Sequence, residues 1–152
     1  MENNTKDYIG RLRSEAVVEK FYENLRLLRK KDPEITLKEV IERTVRSAAP
    51  RFFVGFENAR RFISLLMRNK QLPIKNKNKI AMYKEIYRRY KERLKKEMCN
   101  YTVLESIIEE PAPSFYIDDN RFRCILYNEI NRKRKLFANN KLCSQPSMVC
   151  AL

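Results

Sequence analysis

Between Ser14 and Lys31 the apolar residues Val17, Val18, Phe21, Leu25 and Leu28 fall at helical spacing, with Lys20, Arg26, Arg29, Lys30 and Lys31 on the other side. Ser14 is placed to cap this helix, and Pro33 stops it by disfavouring helical geometry at Asp32. Residues 1–13, polar and mixed in charge, read as a frayed arm or a short first turn. Thr36-Leu-Lys-Glu39 is a capping box, because the threonine hydroxyl and the glutamate carboxylate can each accept the other residue's backbone N–H. A stripe of Leu37, Val40, Ile41, Thr44 and Val45 follows, predicting a helix to about Ser47 that Pro50 ends. Phe52-Phe53-Val54 is too aromatic for a solvated loop and is expected to plug into the core as an extended segment. From Gly55 or Phe56 another helix turns Ala59, Phe62, Ile63 and Leu66 inward and Asn58, Arg60, Arg61, Ser64 and Arg68 outward.

Residues 69–79 lack periodicity and read as basic linker. Ile80 to Met98 carries the strongest helical pattern, with Tyr83, Ile86, Tyr87, Tyr90 and Leu94 inward. Opposite them run Lys84, Arg88, Lys91 and Lys95, a cation row about 16 Å long at the rise of an α-helix, suited to a phosphate backbone or to plain solvation. Thr102-Val-Leu-Glu105 reads as a second capping box, opening a short helix that Pro111 closes. A last helix is predicted from Asp119 to about Phe137, and residues 138–152 are patternless. Its basic end, Arg132 to Lys135, suits the helix dipole whatever it binds.

The segment Ala49 to Ile63 recurs in altered form at Ala112 to Leu126, both opening Ala-Pro-x-Phe, at a constant offset of 63 residues. The expected fold is therefore all-α: two tandem helical repeats of roughly 60 residues, each of three helices with a helix-turn-helix-like second half. Residues 1–70 would form the first repeat, 71–79 a basic linker, 80–137 the second repeat and 138–152 a flexible tail. Units this small gain little stability alone, so the two are expected to pack together.

Charge narrows the function. The chain has 33 Lys and Arg against 19 Asp and Glu, a net +14, which favours a polyanionic partner. With no histidine, and with Gly10 and Gly55 as its two glycines, it lacks the commonest general base and any glycine-rich phosphate loop. An enzyme is not expected, and no cofactor. Four cysteines without Cys-x-x-Cys spacing argue against zinc and, with no secretion signal, for reduced thiols in the cytoplasm. Asp118 and Asp119 read as a helix N-cap pair rather than, with Glu129, a magnesium site. No run approaches the ~18 apolar residues of a membrane span, and no membrane partner is expected.

The run Val54-Gly-Phe-Glu-Asn-Ala59-Arg-Arg61-Phe-Ile63 resembles the turn and recognition helix of bacterial helix-turn-helix regulators, with Val54, Ala59, Arg61 and Ile63 at the pattern's positions. Gly55 stands where serine or threonine is usual, Asn58 stands at the usual threonine, and the turn before Val54 is longer than the family's. The paired Ala-Pro-x-Phe motifs are also similar to those of small basic proteins of Bacteroidetes and their phages or mobile elements, which implies a bacterial or phage-infected cell. The helix-turn-helix resemblance implies duplex DNA as partner, read by Asn58, Arg60, Arg61 and Ser64. Lys84, Arg88, Lys91 and Lys95, with the linker, would supply sequence-independent affinity; Arg68, Arg121, Arg123 and Arg132 are further nucleic-acid-binding candidates, the second repeat either binding or only packing. RNA binding is an alternative. So is a basic assembly or adaptor module, self-associating or docking through Phe52-Phe53 and Phe115-Tyr116.

Overall fold

The structure, a computed structural model, describes residues 2–94 and 100–144. Among these residues the chain is all α, with six helices: α1 (Glu2–Lys31), α2 (Leu37–Val45), α3 (Phe56–Met67), α4 (Lys77–Leu94), α5 (Asn100–Glu109) and α6 (Asp119–Ser144). The expected arm over residues 1–13 is helix from Glu2 onward. Ser14 lies inside α1 and donates to the Gly10 carbonyl at 3.0 Å instead of capping a start. α4 begins three residues before Ile80, because the Asn76 side chain accepts from the N–H of Asn78 at 2.9 Å and so caps it. The linker also sends Leu72 into the core. α6 continues to Ser144, so residues 138–144 are helix rather than tail. Thr102 sits within the first turns of α5, so its expected capping role fails; the box at Thr36 and Glu39 forms in full.

The helices close into two clusters. α1, α2 and α6 pack on one another, and so do α3, α4 and α5. These groups do not coincide with 1–70 and 80–137, because each cluster takes two helices from one part of the chain and a third from the other. α2 and α3, although consecutive, do not pack together. The helix-turn-helix unit expected of them is therefore not formed; the long aromatic turn between them carries α3 over to the other cluster.

Where the two crossing segments meet, Ala49 and Ala112 form an isolated antiparallel bridge, each amide donating to the other's carbonyl at 2.9 Å. Pro50 and Pro113 follow directly and have no N–H, so no ladder can grow from the pair. Phe52 N–H donates to the Ile108 carbonyl at 3.0 Å, and Phe115 N–H donates to the Val45 carbonyl at 3.3 Å. Those two bonds are the same bond displaced by 63 residues at both ends. Phe52 stacks on Tyr116 and Phe53 on Phe115, each pair with ring centroids 6.1 Å apart. Phe52 and Phe115 are thereby buried at the crossing, while Phe53 and Tyr116 remain half-buried. Burial keeps the same offset: Val40, Ile41, Ala49, Ala59, Phe62 and Ile63 answer to Val103, Leu104, Ala112, Phe122, Ile125 and Leu126, all buried.

α3 ends in a Schellman arrangement, with Lys70 N–H on the Leu65 carbonyl, Asn69 N–H on the Leu66 carbonyl and Asn69 left-handed at φ 55°. Tyr116, at φ 53°, is held in the same region although bulky, and its ring is committed to the stack on Phe52.

Phe52 is 1% exposed at the crossing, so Phe52→Ala should cost about 3–5 kcal/mol, read as a shift of the urea unfolding midpoint. Gly10 sits in α1 at negative φ, and an added Cβ would meet nothing within 4 Å. Gly10→Ala should stabilise the chain by about 0.5–1 kcal/mol in the same assay, through lost chain entropy in the unfolded state.

Candidate nucleic-acid interface

α3 packs against α4, and each of these two helices carries a group of cations that the sequence separates. On α3, Asn58, Arg60 and Arg61 are exposed and Ser64 is half-buried; Arg68, at its C-cap, is exposed. On α4, Lys77, Lys84, Arg88 and Lys91 are exposed; Lys95 lies outside the described residues. At 100° per residue those four α4 positions fall within about 60° of arc, and from Lys77 to Lys91 they run about 21 Å. Lys77 falls within the stretch expected to be linker; the Asn76 side-chain cap is what brings it onto the helix.

At the α3–α4 seam the rings of Phe62 and Tyr83 stand 4.5 Å apart, and the Arg61 guanidinium lies 4.9 Å from the Phe62 centroid. Burial pushes the Tyr83 hydroxyl up to about 12, while the Arg61 charge pulls the other way. Tyr83 is therefore neutral at physiological pH, and Arg61 is spread over an aromatic face with its charge toward the outside.

Not every outward cation is available. Arg60 bonds Glu57 at 3.0 Å. Arg88 holds Glu85 at 2.8 Å and Glu92 at 2.9 Å, and these carboxylates raise its pKa above the ordinary arginine value. Arg89 is a structural pin: it bonds Glu85 at 3.0 Å and the Pro111 carbonyl at 3.0 Å, and lies 5.0 Å over the Phe52 ring. Arg93 pairs with Glu110. By contrast, Arg61, Arg68, Lys77, Lys84 and Lys91 have no ion pair among the described residues, though the Lys91 ammonium rests 4.6 Å from the Tyr87 ring.

The α6 candidates lie in the other cluster. Asp118 caps the helix, its carboxylate accepting from Arg121 N–H at 2.7 Å. Arg121 is exposed and Arg123 half-buried. Arg132 is bound to Glu129 at 2.6 Å. Glu129 is 7% exposed where the equivalent position at offset 63 is Leu66, and a carboxylate so placed needs a cation. Arg132 thus answers an internal demand first. Arg13 was not anticipated from the sequence. It approaches Arg121 across the α1–α6 seam, its Nε is buried without a hydrogen-bond partner, and burial together with the Arg121 charge lowers its pKa.

Among the described residues no group of three or more Cys, Asp or Glu is arranged to hold a metal, and no helix is long and apolar enough to cross a membrane. No family model, curated protein or solved structure matches the chain.

Three carboxyl groups sit below their ordinary value of 4.5: Glu85 and Glu129 through side-chain bonds from Arg88 and Arg132, and Glu39 through the Thr36 backbone N–H. A depressed folded-state pKa adds stability that is complete above the unfolded value and is lost as pH falls through the folded one. The thermal midpoint should therefore hold from neutral pH down to about 5 and fall below about 4.5. Glu129→Gln should lower the midpoint at neutral pH and flatten that acid limb, measured by circular dichroism.

Proposed function

We propose that this chain is a non-enzymatic nucleic-acid-binding protein, with duplex DNA as the favoured partner. In this reading it is built from two diverged copies of one three-helix unit that exchange their third helices. The two-copy reading is supported by the offset of 63 residues, which recurs in the bridge, in the paired amide bonds and in the burial pattern. A cytoplasmic setting in a bacterial or phage-infected cell accords with that reading.

One observation carries the binding reading: α4 carries Lys77, Lys84 and Lys91 in one row, and α3, packed on it, carries Arg61 with Arg68 at its C-cap, all exposed and without an ion pair among the described residues. In a chain of net +14, such a face attracts phosphates and gains affinity by releasing their counterions. The α4 row is straight and about 21 Å long, which suits successive phosphates along one strand better than base edges. With α2 and α3 apart, contact is proposed through helix faces laid on the backbone, Asn58 and Arg60 lying at the edge of that footprint.

Fluorescence anisotropy with labelled duplex DNA tests this. Log affinity should fall linearly with log salt, and the Lys84→Ala/Lys91→Ala double variant should flatten that slope by about 2. Arg88→Ala should change it little, because its charge is already matched by Glu85 and Glu92. Absence of binding at low salt overturns the proposal; preference for RNA in direct competition moves the partner from DNA to RNA.

A further inference from the structure

From Asn131 to Lys141 every residue of α6 is exposed, including Leu136 at 48% and Phe137 at 64%. A helical segment covered on no side draws little stability from its own backbone bonds and gains most from packing. Beside it, α1 and this half of α6 border an open groove of about 1060 Å³, its apolar lining including Val18, Tyr22, Ile130 and Phe137. Its two rims differ in sign. The α1 rim carries Glu19 and Glu15, whose charge helps raise the Arg132 pKa from across the seam, and the α6 rim carries Lys133 and Arg134.

We propose that this groove is the face on which a second copy of the chain docks. A two-fold axis through such a face sets each acidic α1 rim against the basic α6 rim of the other copy, twice over. The same rotation lays each α6 arm over α1 of the other copy, so that Phe137 of one covers Tyr22 of the other. An acidic partner would meet Glu15 and Glu19 unfavourably, and a basic one Lys133 and Arg134; a surface carrying both signs on opposite rims is complementary to itself. The surface belongs to the α1–α6 cluster, away from the α3–α4 row, so the pairing stands independently of the nucleic-acid reading.

Sedimentation equilibrium on nucleic-acid-free protein, from about 1 to about 200 µM in ~150 mM salt, reads the mass directly. The mass is expected to rise from one chain to two, and Phe137→Glu, a change at an exposed position, should leave it at one. The decisive arm uses two variants, Glu15→Lys/Glu19→Lys and Lys133→Glu/Arg134→Glu, each checked for native helicity and a cooperative thermal transition. Each alone should stay monomeric, and their mixture should recover the doubled mass, because both rim pairs are again opposite in sign. Wild-type protein that stays monomeric throughout overturns the proposal, as does self-association of both reversed variants. It also fails if the chain is monomeric and removal of residues 145–152 opens the groove to a hydrophobic dye, since the occupant is then the chain's own end.

Discussion

Two stretches of backbone lie against each other at Ala49 and Ala112, and that contact decides what every helix can touch. Each alanine is 1% exposed and bonded to the other through both amide and carbonyl. A larger side chain at either position would push the crossing segments apart. The prolines that follow restrict the contact to a single pair, so the segments diverge and deliver α3 and α6 to opposite sides. The stacked rings of Phe52 with Tyr116 and Phe53 with Phe115 then fill the space around the crossing. The left-handed backbone of Tyr116 is tolerated because its ring is held there.

The charges divide by what they answer to. Arg88, Arg89, Arg93 and Arg132 are bound to carboxylates of their own chain, and Arg89 also ties α4 to the second crossing segment through the Pro111 carbonyl. These cations are consumed by the fold. Pairs as exposed as Arg88 with Glu92 add little stability, whereas the buried carboxylate of Glu129 would be costly without Arg132. The surplus that gives the molecule its external field is spread over both clusters: Arg61, Arg68, Lys77, Lys84 and Lys91 on one, and Arg26, Arg29, Lys30, Lys31, Lys133 and Arg134 on the other, are among its exposed cations.

The helices were legible in the pattern of apolar residues because amphipathic spacing reports which side of a helix is covered. Val40, Ile41, Thr44 and Val45 in α2 and Ala59, Phe62 and Ile63 in α3 are buried as that spacing requires. What covers them was not legible. A stripe carries no address, and the same residues of α3 would serve equally against α2 or against α4 and α5. Ser14 and Thr102 look like caps in sequence, yet α1 already runs from Glu2 and α5 from Asn100, so both fall inside their helices. The outward direction of Asn58, Arg60 and Arg61 followed from the pattern; that Arg60, Arg88 and Arg132 are occupied by carboxylates required coordinates. Arg13 and Lys77 lay in stretches without periodicity, where pattern reasoning has nothing to act on.

Because each cluster contains helices from both sides of the loop 68–76, severing that loop would not release two independent bodies. The amino-terminal piece would keep α1 and α2 but need α6 from its counterpart, and the carboxy-terminal piece would keep α4 and α5 but need α3. The nicked halves would stay clasped like two hands, and a chain cut there retains a fold that neither fragment possesses by itself.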